Sequence, residues 1–311
     1  MTIAIVVHGG AINPLNSQFN DGVKEAALTG FGILKMGGSA LDGVIEAIRV
    51  MEDNPIFNAG TGSCPNLAGE IEMDAIIVDG REVSVGAVAC ISRVKNPVLV
   101  ARKVMEETDH ILLAGQGATK FARSFGFPDY EPLTRERREE WTGLRDKLRN
   151  NEHVSLTKYW SKISKYALAD TVGAVALSEN GDIAAATSSG GFPMKLPGRV
   201  GDVPILNCST YANNKVCGVS LTGHGEVIVK HVLARRIHDR VERGEHPQVA
   251  IERAIGDVLN SLESREDVLL AGIVLDRQGN VGMARNTCAT PHAFISDSTE
   301  GQVSLGFGKV I

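Results

Sequence analysis

Cysteine is scarce in this chain and does not fall into any pairing pattern. The five cysteines, at positions 64, 90, 208, 217 and 288, are odd in number and show no CxxC or Cys/His ligand spacing. A disulfide scaffold and a structural zinc site are therefore not expected. Aromatic residues make up only 5%, which leaves few platforms for stacking bases. There is no basic block: 32 Lys and Arg stand against 37 Asp and Glu, for a net charge of −5 and a pI near 5.9. Phosphate backbones call for clustered cations, so no nucleic-acid partner is expected. Nowhere do the roughly 18 apolar residues of a membrane span run together, and no membrane partner is expected either. The opening MTIAIVVHGG lacks a charged n-region, and its short apolar run reads as a buried strand rather than a signal peptide. The expectation is a cytoplasmic globular protein.

Several motifs are also missing. There is no GxxxxGK[ST], no GxGxxG after the first strand and no GxSxG, so a phosphate loop, a dinucleotide fold and a serine elbow lack support. The eight histidines form no HExxH or other close pair; His224 and His231 are read as ordinary surface or structural residues.

What is present is a long chain with enough apolar residues to bury a core without staples: 311 residues, 43% hydrophobic and 22% charged. Helical periodicity covers about Asp21–Met36, Ala40–Asp53, Pro97–Glu107 and Gln116–Phe125, with Ser39 as an N-cap and Pro55 stopping the second helix. Glu72–Val78 and Val83–Ile91, joined by Asp79-Gly80, read as a hairpin. From 128 to about 165 the sequence is charged and lacks an apolar stripe, as in a solvated helix or mobile linker. A second hairpin, TVGAVAL and DIAAATSS around Asn180-Gly181, is apolar enough to be buried on both faces. A strand near Val216–Leu221, helices near Glu226–Arg243 and Gln248–Glu263, and strands at Leu269–Asp276 and Val281–Asn286 complete the reading. Hairpins with segregated helices favour a layered α/β arrangement over a parallel βαβ sheet.

Between 170 and 226 the polar residues concentrate at strand ends and in glycine-rich loops: Thr171, Thr187, Ser188, Ser189, Arg199, Asp202 and Thr222. Glycines there would let main-chain groups approach a ligand closely. Spacing alone also allows a run of tight turns with capping hydroxyls.

Eight collinear blocks decide the matter: HGGA at 8–11, EDNPIFNAGTGS at 52–63, EMDAIIVDG at 72–80, VGAVACISRVKNPVLVAR at 85–102, DTVGAVAL at 170–177, AAATSSGG at 184–191, GRVGD at 198–202 and TGHGE at 222–226. With them the chain resembles the plant-type asparaginase and isoaspartyl peptidase family of N-terminal-nucleophile hydrolases. The resemblance implies a single domain over 1–311 with a four-layer αββα sandwich. It further implies self-cleavage between Asp170 and Thr171 into subunits of residues 1–170 and 171–311, the first ending in a mobile linker over about 128–169. Two such pairs would associate as a heterotetramer.

The same resemblance implies roles for individual residues. Thr171 would be the nucleophile, with its freed amine as general base, and Asp170 a participant in cleavage. Ser189 and Asn58 would complete the hydroxyl network around Thr171. Thr222 and the Gly223 N–H would stabilise the oxyanion. Arg199 would hold the substrate α-carboxylate, Asp202 its α-ammonium, and Gly223 and Gly225 would contact the head group. No catalytic cofactor is implied, but a structural sodium ion would rest on main-chain carbonyls of Met51, Glu52, Asn54, Phe57, Ala59 and Thr61. The implied substrates are L-asparagine and β-aspartyl dipeptides. Glycosylasparaginase-like or taspase-like hydrolysis and an uncleaved amino-acid-binding role are the alternatives.

Departures from the family pattern lie near the site. Asp170 replaces the glycine usual in plant-type members, TSSGG replaces TSTGG, NCSTYA replaces GAGTYA, and Ile12 follows HGGA where glycine is usual. They leave the reaction class intact and bear on substrate choice. Taspase-like relatives typically lack the aspartate that matches Asp202, so by resemblance its presence argues for small aspartyl substrates over a protein loop.

Overall fold

The computed structural model describes residues 2–11, 17–149, 171–263, 265 and 268–311. The centre of its larger sheet is an antiparallel run of β1 (Ala4–His8), β5 (Thr171–Leu177), β6 (Ile183–Ser189), β2 (Met73–Asp79) and β3 (Ser84–Ile91), neighbours in that order. Beyond β1 lie β11 (His292–Ser296) and β12 (Ser304–Leu305), and β4 (Leu112–Ala114) runs parallel to β3 at the other edge. A second sheet joins β7 (Thr210–Ala212), β8 (Cys217–Gly223), β9 (Leu270–Asp276), β10 (Val281–Arg285) and β13 (Lys309–Val310).

Both expected hairpins form, and local chemistry explains each. A side chain at Gly80 would lie 2.6 Å from the Ile183 carbonyl, and Gly181 turns the β5–β6 connection at φ +83°. Every residue of β5 and β6 is buried. Side chains alternate across a strand, and here the alternation assigns two different environments. Val172, Ala174 and Ala176 meet the helices, whereas Val175 and Leu177 meet the second sheet.

Among the described residues there are eight α-helices, and the core falls into three clusters. One joins the larger sheet to α1 (Ser17–Lys35), α2 (Ala40–Asp53), α3 (Pro97–Glu107) and α4 (Gly115–Ser124), through residues such as Val23, Ile48, Val98 and Ala174. Residues such as Val6, Ile76, Val175, Ile273 and Leu275 fill the space between the sheets. The third cluster joins the smaller sheet to the C-terminal helices. Helix α1 begins at Ser17, four residues before the expected start, whereas α2 begins as expected, with the Ser39 hydroxyl accepting from the Asp42 N–H. The charged segment contains helix α5 (Arg135–Arg149), held to the body by Trp141 Nε1–H donating to the Asn66 carbonyl (2.9 Å) and Arg137 Nε–H donating to the Gly62 carbonyl (2.7 Å). Residues 150–170, including the rest of the expected linker and Asp170, lie outside the described residues, as does Ile12.

One expected helix is two. Val232 sits at φ +48°, a conformation costly for a β-branched residue, and it divides α6 (Gly225–His231) from α7 (Leu233–Glu242). The last helix, α8, spans Pro247–Asn260. No helix among the described residues is long and apolar enough to cross a membrane.

Candidate active site

Three strands reach one pocket, β5 through Thr171, β6 through Ser189 and β8 through Gly223. Thr171 opens β5 and lies directly across from Ser189, the last residue of β6. The Thr171 Oγ1–H donates to Ser189 Oγ at 3.1 Å, and Ser189 Oγ also accepts the Gly191 N–H at 2.9 Å. Thr222, near the end of β8, is fully buried, and its Oγ1 has no hydrogen-bond partner. A buried hydroxyl normally finds one, so this oxygen is available to an incoming group. Gly223 follows at φ +128°, where a side chain would stand 2.1 Å from the Leu269 carbonyl; only glycine fits.

Asn58 reaches the nucleophile indirectly. Its Nδ2–H donates to the Gly191 carbonyl (2.6 Å), its Oδ1 accepts the Cys64 N–H (2.7 Å), and its own carbonyl accepts the Gly190 N–H (2.7 Å). It therefore fixes the turn whose Gly191 N–H supports Ser189.

The opposite wall is charged. Arg199 stacks on Phe192, with Cζ 4.7 Å from the ring centroid, and its Nε and Nη2 both donate to Glu226 Oε1 at 3.0 and 2.9 Å. Asp202 is buried, with Oδ2 unpartnered. Burial pushes its carboxyl up to about 7, with Arg199 pulling the other way. At Gly225 a side chain would lie 2.6 Å from Asp202 Oδ1 and 2.8 Å from Arg199 Nη2, so its absence keeps both charged groups open to the pocket. Thr171, Ser189, Arg199, Asp202 and Gly223 line that pocket together, with Phe192 and Asp74 on its wall.

Asp74, Lys195 and Glu226 were not singled out by the sequence. Asp74 accepts the Cys90 N–H at 2.8 Å and the Gly201 N–H at 3.3 Å, which ties the Arg199 loop to β2. Lys195 is fully buried and donates to the Glu72 carbonyl at 2.6 Å; burial lowers its pKa. A lone charge within an apolar run was the available signal for Asp74, and TGHGE contained Glu226. His224 has a structural role, its Nδ1 accepting the Leu269 N–H at 2.9 Å.

The Met51–Thr61 loop is partly satisfied internally. The carbonyls of Met51, Glu52 and Asn54 accept the N–H groups of Asn54, Thr61 and Phe57 respectively. Arg137 also donates to the Ile56 carbonyl at 3.4 Å. The Glu52 side chain faces away from the pocket row, accepting from Ser188 Oγ at 2.6 Å and from the Val98 N–H at 3.1 Å, and burial pushes its carboxyl up to about 8.

A strand-borne hydroxyl beside an unpartnered one, facing a paired cation and carboxylate, is the equipment of a hydrolase acting on an amide that carries an amino-acid head group. Comparison with known proteins agrees: the asparaginase family pattern matches residues 1–305, and the chain belongs to that family. The plant-type L-asparaginase of Pyrococcus furiosus is 48% identical over 306 residues, covering 95% of this chain and 97% of that protein. The isoaspartyl peptidase/L-asparaginase of Danio rerio is 42% identical, covering 90% and 87%, and the human protein of that name is 39% identical, covering 96% and 94%.

Proposed function

We propose that the protein is a threonine amidohydrolase, activated by its own cleavage before Thr171, that hydrolyses L-asparagine to L-aspartate and ammonia and cleaves β-aspartyl dipeptides. The observation that carries this reading is the convergence of Thr171, Ser189, Arg199, Asp202 and Gly223 on one pocket, with the unpartnered Thr222 hydroxyl on the residue next to Gly223.

In the precursor, Thr171 Oγ attacks the Asp170 carbonyl and the peptide C–N bond breaks, giving an ester and a free Thr171 amine. Water hydrolyses the ester. With a reference pKa of about 7.7–8.0, the amine can take the proton of Oγ near neutral pH. Arg199 pairs with the α-carboxylate of asparagine and Asp202 with its α-ammonium, which sets the side-chain amide against Thr171. Attack by Oγ gives a tetrahedral intermediate whose oxyanion is met by the Thr222 hydroxyl and the Gly223 N–H. Collapse expels ammonia, or the amine of a peptide, and water releases aspartate from the acyl-enzyme.

Several further parts belong to this reading. The three core clusters support a four-layer αββα sandwich. Cleavage yields subunits 1–170 and 171–311 of one domain, assembled as a dimer of such pairs. A cytoplasmic setting accords with five unpaired cysteines. A structural sodium ion on the carbonyls of Met51, Glu52, Asn54, Phe57, Ala59 and Thr61 fits the donor chemistry, since an uncharged, all-oxygen set suits a hard cation and a carbonyl already accepting one N–H keeps a second lone pair. Replacing sodium with a bulky organic cation at constant ionic strength should lower the thermal midpoint while leaving kcat unchanged; an unmoved midpoint removes the ion.

The decisive experiment is the denatured mass of the purified protein together with aspartate release. Two fragments, the smaller starting at Thr171, and release from both asparagine and a β-aspartyl dipeptide are expected. Thr171→Ala should remain one chain and lose at least roughly 10⁴-fold in activity. Turnover by that variant would overturn the reading.

A further inference from the structure

Below the pocket runs a second row of polar side chains that the mechanism leaves unused. Thr171, Ser189 and Thr222 occupy β5, β6 and β8, and two residues deeper on the same strands stand Gly173, Thr187 and Ser220. Residues two apart share a face, so the inner row repeats the outer one a step into the space between the sheets. The register agrees: Thr171 is opposite Ser189, and Gly173 is opposite Thr187.

Ser220 Oγ is the hub of the inner row, 2.7 Å from Thr187 Oγ1 and 3.0 Å from His8 Nε2. Thr187 Oγ1 lies 2.6 Å from Thr210 Oγ1. The adjoining Ser209 hydroxyl donates to the main-chain carbonyl of Asp202 at 3.2 Å. All five side chains are fully buried. Gly173 makes the room, since a side chain there would stand 2.1 Å from Ser220 Oγ and 2.2 Å from His8 Nε2. Burial, with His292 adding to it, holds the His8 imidazole down to about 3. Ser220 Oγ thus bridges the neutral ring and Thr187, its hydroxyl proton and the ring tautomer setting which atom donates in each contact. Such a chain is costly to bury, and apolar residues of the same shape would cost less.

We propose that the His8–Ser220–Thr187–Thr210 chain is a positioning element for the amide hydrolysis. It ties β1, β6, β7 and β8 together around Gly173 of β5, which is itself paired between β1 and β6, one step beneath Thr171, Ser189 and Thr222, and so sets the spacing of the three hydroxyls. The proposal rests on the functional reading above.

Two substitutions separate positioning from packing. Thr187→Val keeps the side chain's shape and removes the hydroxyl; Thr187→Ser keeps the hydroxyl and removes a methyl. With rates expressed per cleaved subunit, the Val variant should lose roughly 10- to 100-fold in kcat with KM for asparagine within about 2-fold, because a small displacement of reacting groups is enough for such a loss. The Ser variant should keep kcat within about 2-fold, and Thr187→Val combined with Ser220→Ala should cost little more than either alone, as members of one network do. If the Val variant is folded but uncleaved, the Ser220→Ala variant is read in the same way. Folded but uncleaved protein in both, beside a cleaved Ser variant, also supports the proposal, since the first attack uses the same hydroxyl. Wild-type kcat in the Val variant, or a larger kcat loss in Ser than in Val, overturns it while leaving the function intact. A wild-type protein that neither cleaves itself nor releases aspartate overturns the functional reading, and this proposal with it.

Discussion

The two walls of the pocket are made differently. One presents neutral hydroxyls on strands: Thr171 and Ser189, placed by the register of β5 and β6, with Thr222 beside the lining Gly223 at the end of β8 in the facing sheet. The other presents charges on or beside loops: Arg199 steadied by Phe192 and Glu226, and Asp202 near the glycines at 201 and 225. Bond-making tolerates little displacement, and a ladder of main-chain hydrogen bonds supplies the needed precision. Charge recognition acts over longer distances and tolerates a loop. The walls should therefore separate in kinetics, the strand wall governing kcat and the loop wall KM.

The largest effect should come from the strand wall. Thr222→Val removes an oxyanion donor while keeping its shape, and kcat for asparagine should fall roughly 10²–10³-fold with KM little changed. Steady-state kinetics on the cleaved enzyme measure this. A loss confined to KM would assign Thr222 to substrate binding and erase the division.

Asp202→Asn tests the loop wall. Breaking the pair with the substrate ammonium should raise KM by about 10²-fold and change kcat less. The wild type should also show a pH dependence in KM. With its pKa raised to about 7, Asp202 is neutral below that value and charged above it. Affinity for the ammonium is therefore present above pH 7 and weakens as pH falls through it. The Asn variant should lose this limb, while the separate dependence of kcat on the Thr171 amine persists. A KM–pH profile shared by both proteins would show that Asp202 does not bind the ammonium.

The two walls also differed in how far the sequence revealed them. The hairpin carrying Thr171 and Ser189 was legible because its strands are continuously apolar and its turn carries Asn180-Gly181, as was the neighbouring β2–β3 hairpin through Asp79-Gly80. Thr171, Arg199, Asp202 and Thr222 were legible only together, through collinear motifs, since each alone passes for a cap or a turn residue. Long-range pairing hid other parts. β11 joins the larger sheet beside β1, nearly 300 residues away in sequence, and β7 is only three residues long within a glycine-rich loop. The inner row of Thr187, Thr210 and Ser220 was hidden for a related reason. In sequence each is an ordinary polar residue in or beside a strand, and only the facing of two sheets joins them. Val232, which breaks the expected helix over 226–243, has no local signal, since a β-branched residue is a poor occupant of its conformation.

The smallest effect, at Glu226, decides what the loop wall is arranged to do. Glu226 bonds the Nε and Nη2 edge of Arg199 through one oxygen, and it is itself half-exposed. An exposed pair of this kind contributes little to stability, so its consequence should lie in orientation. The Nη1 group points the other way, 2.7 Å from where a Gly201 side chain would begin. With one edge held, the remaining donors of Arg199 face the pocket. Glu226→Gln retains an oxygen acceptor and should raise KM for asparagine about 3-fold, with kcat unchanged, in keeping with the modest worth of exposed charge pairs. Glu226→Ala, which retains nothing, should raise it further. The alternative is competition, in which Glu226 occupies the place of the substrate carboxylate and its removal lowers KM. The sign of the change in KM distinguishes the two, and a decrease would make Glu226 an internal competitor rather than a support.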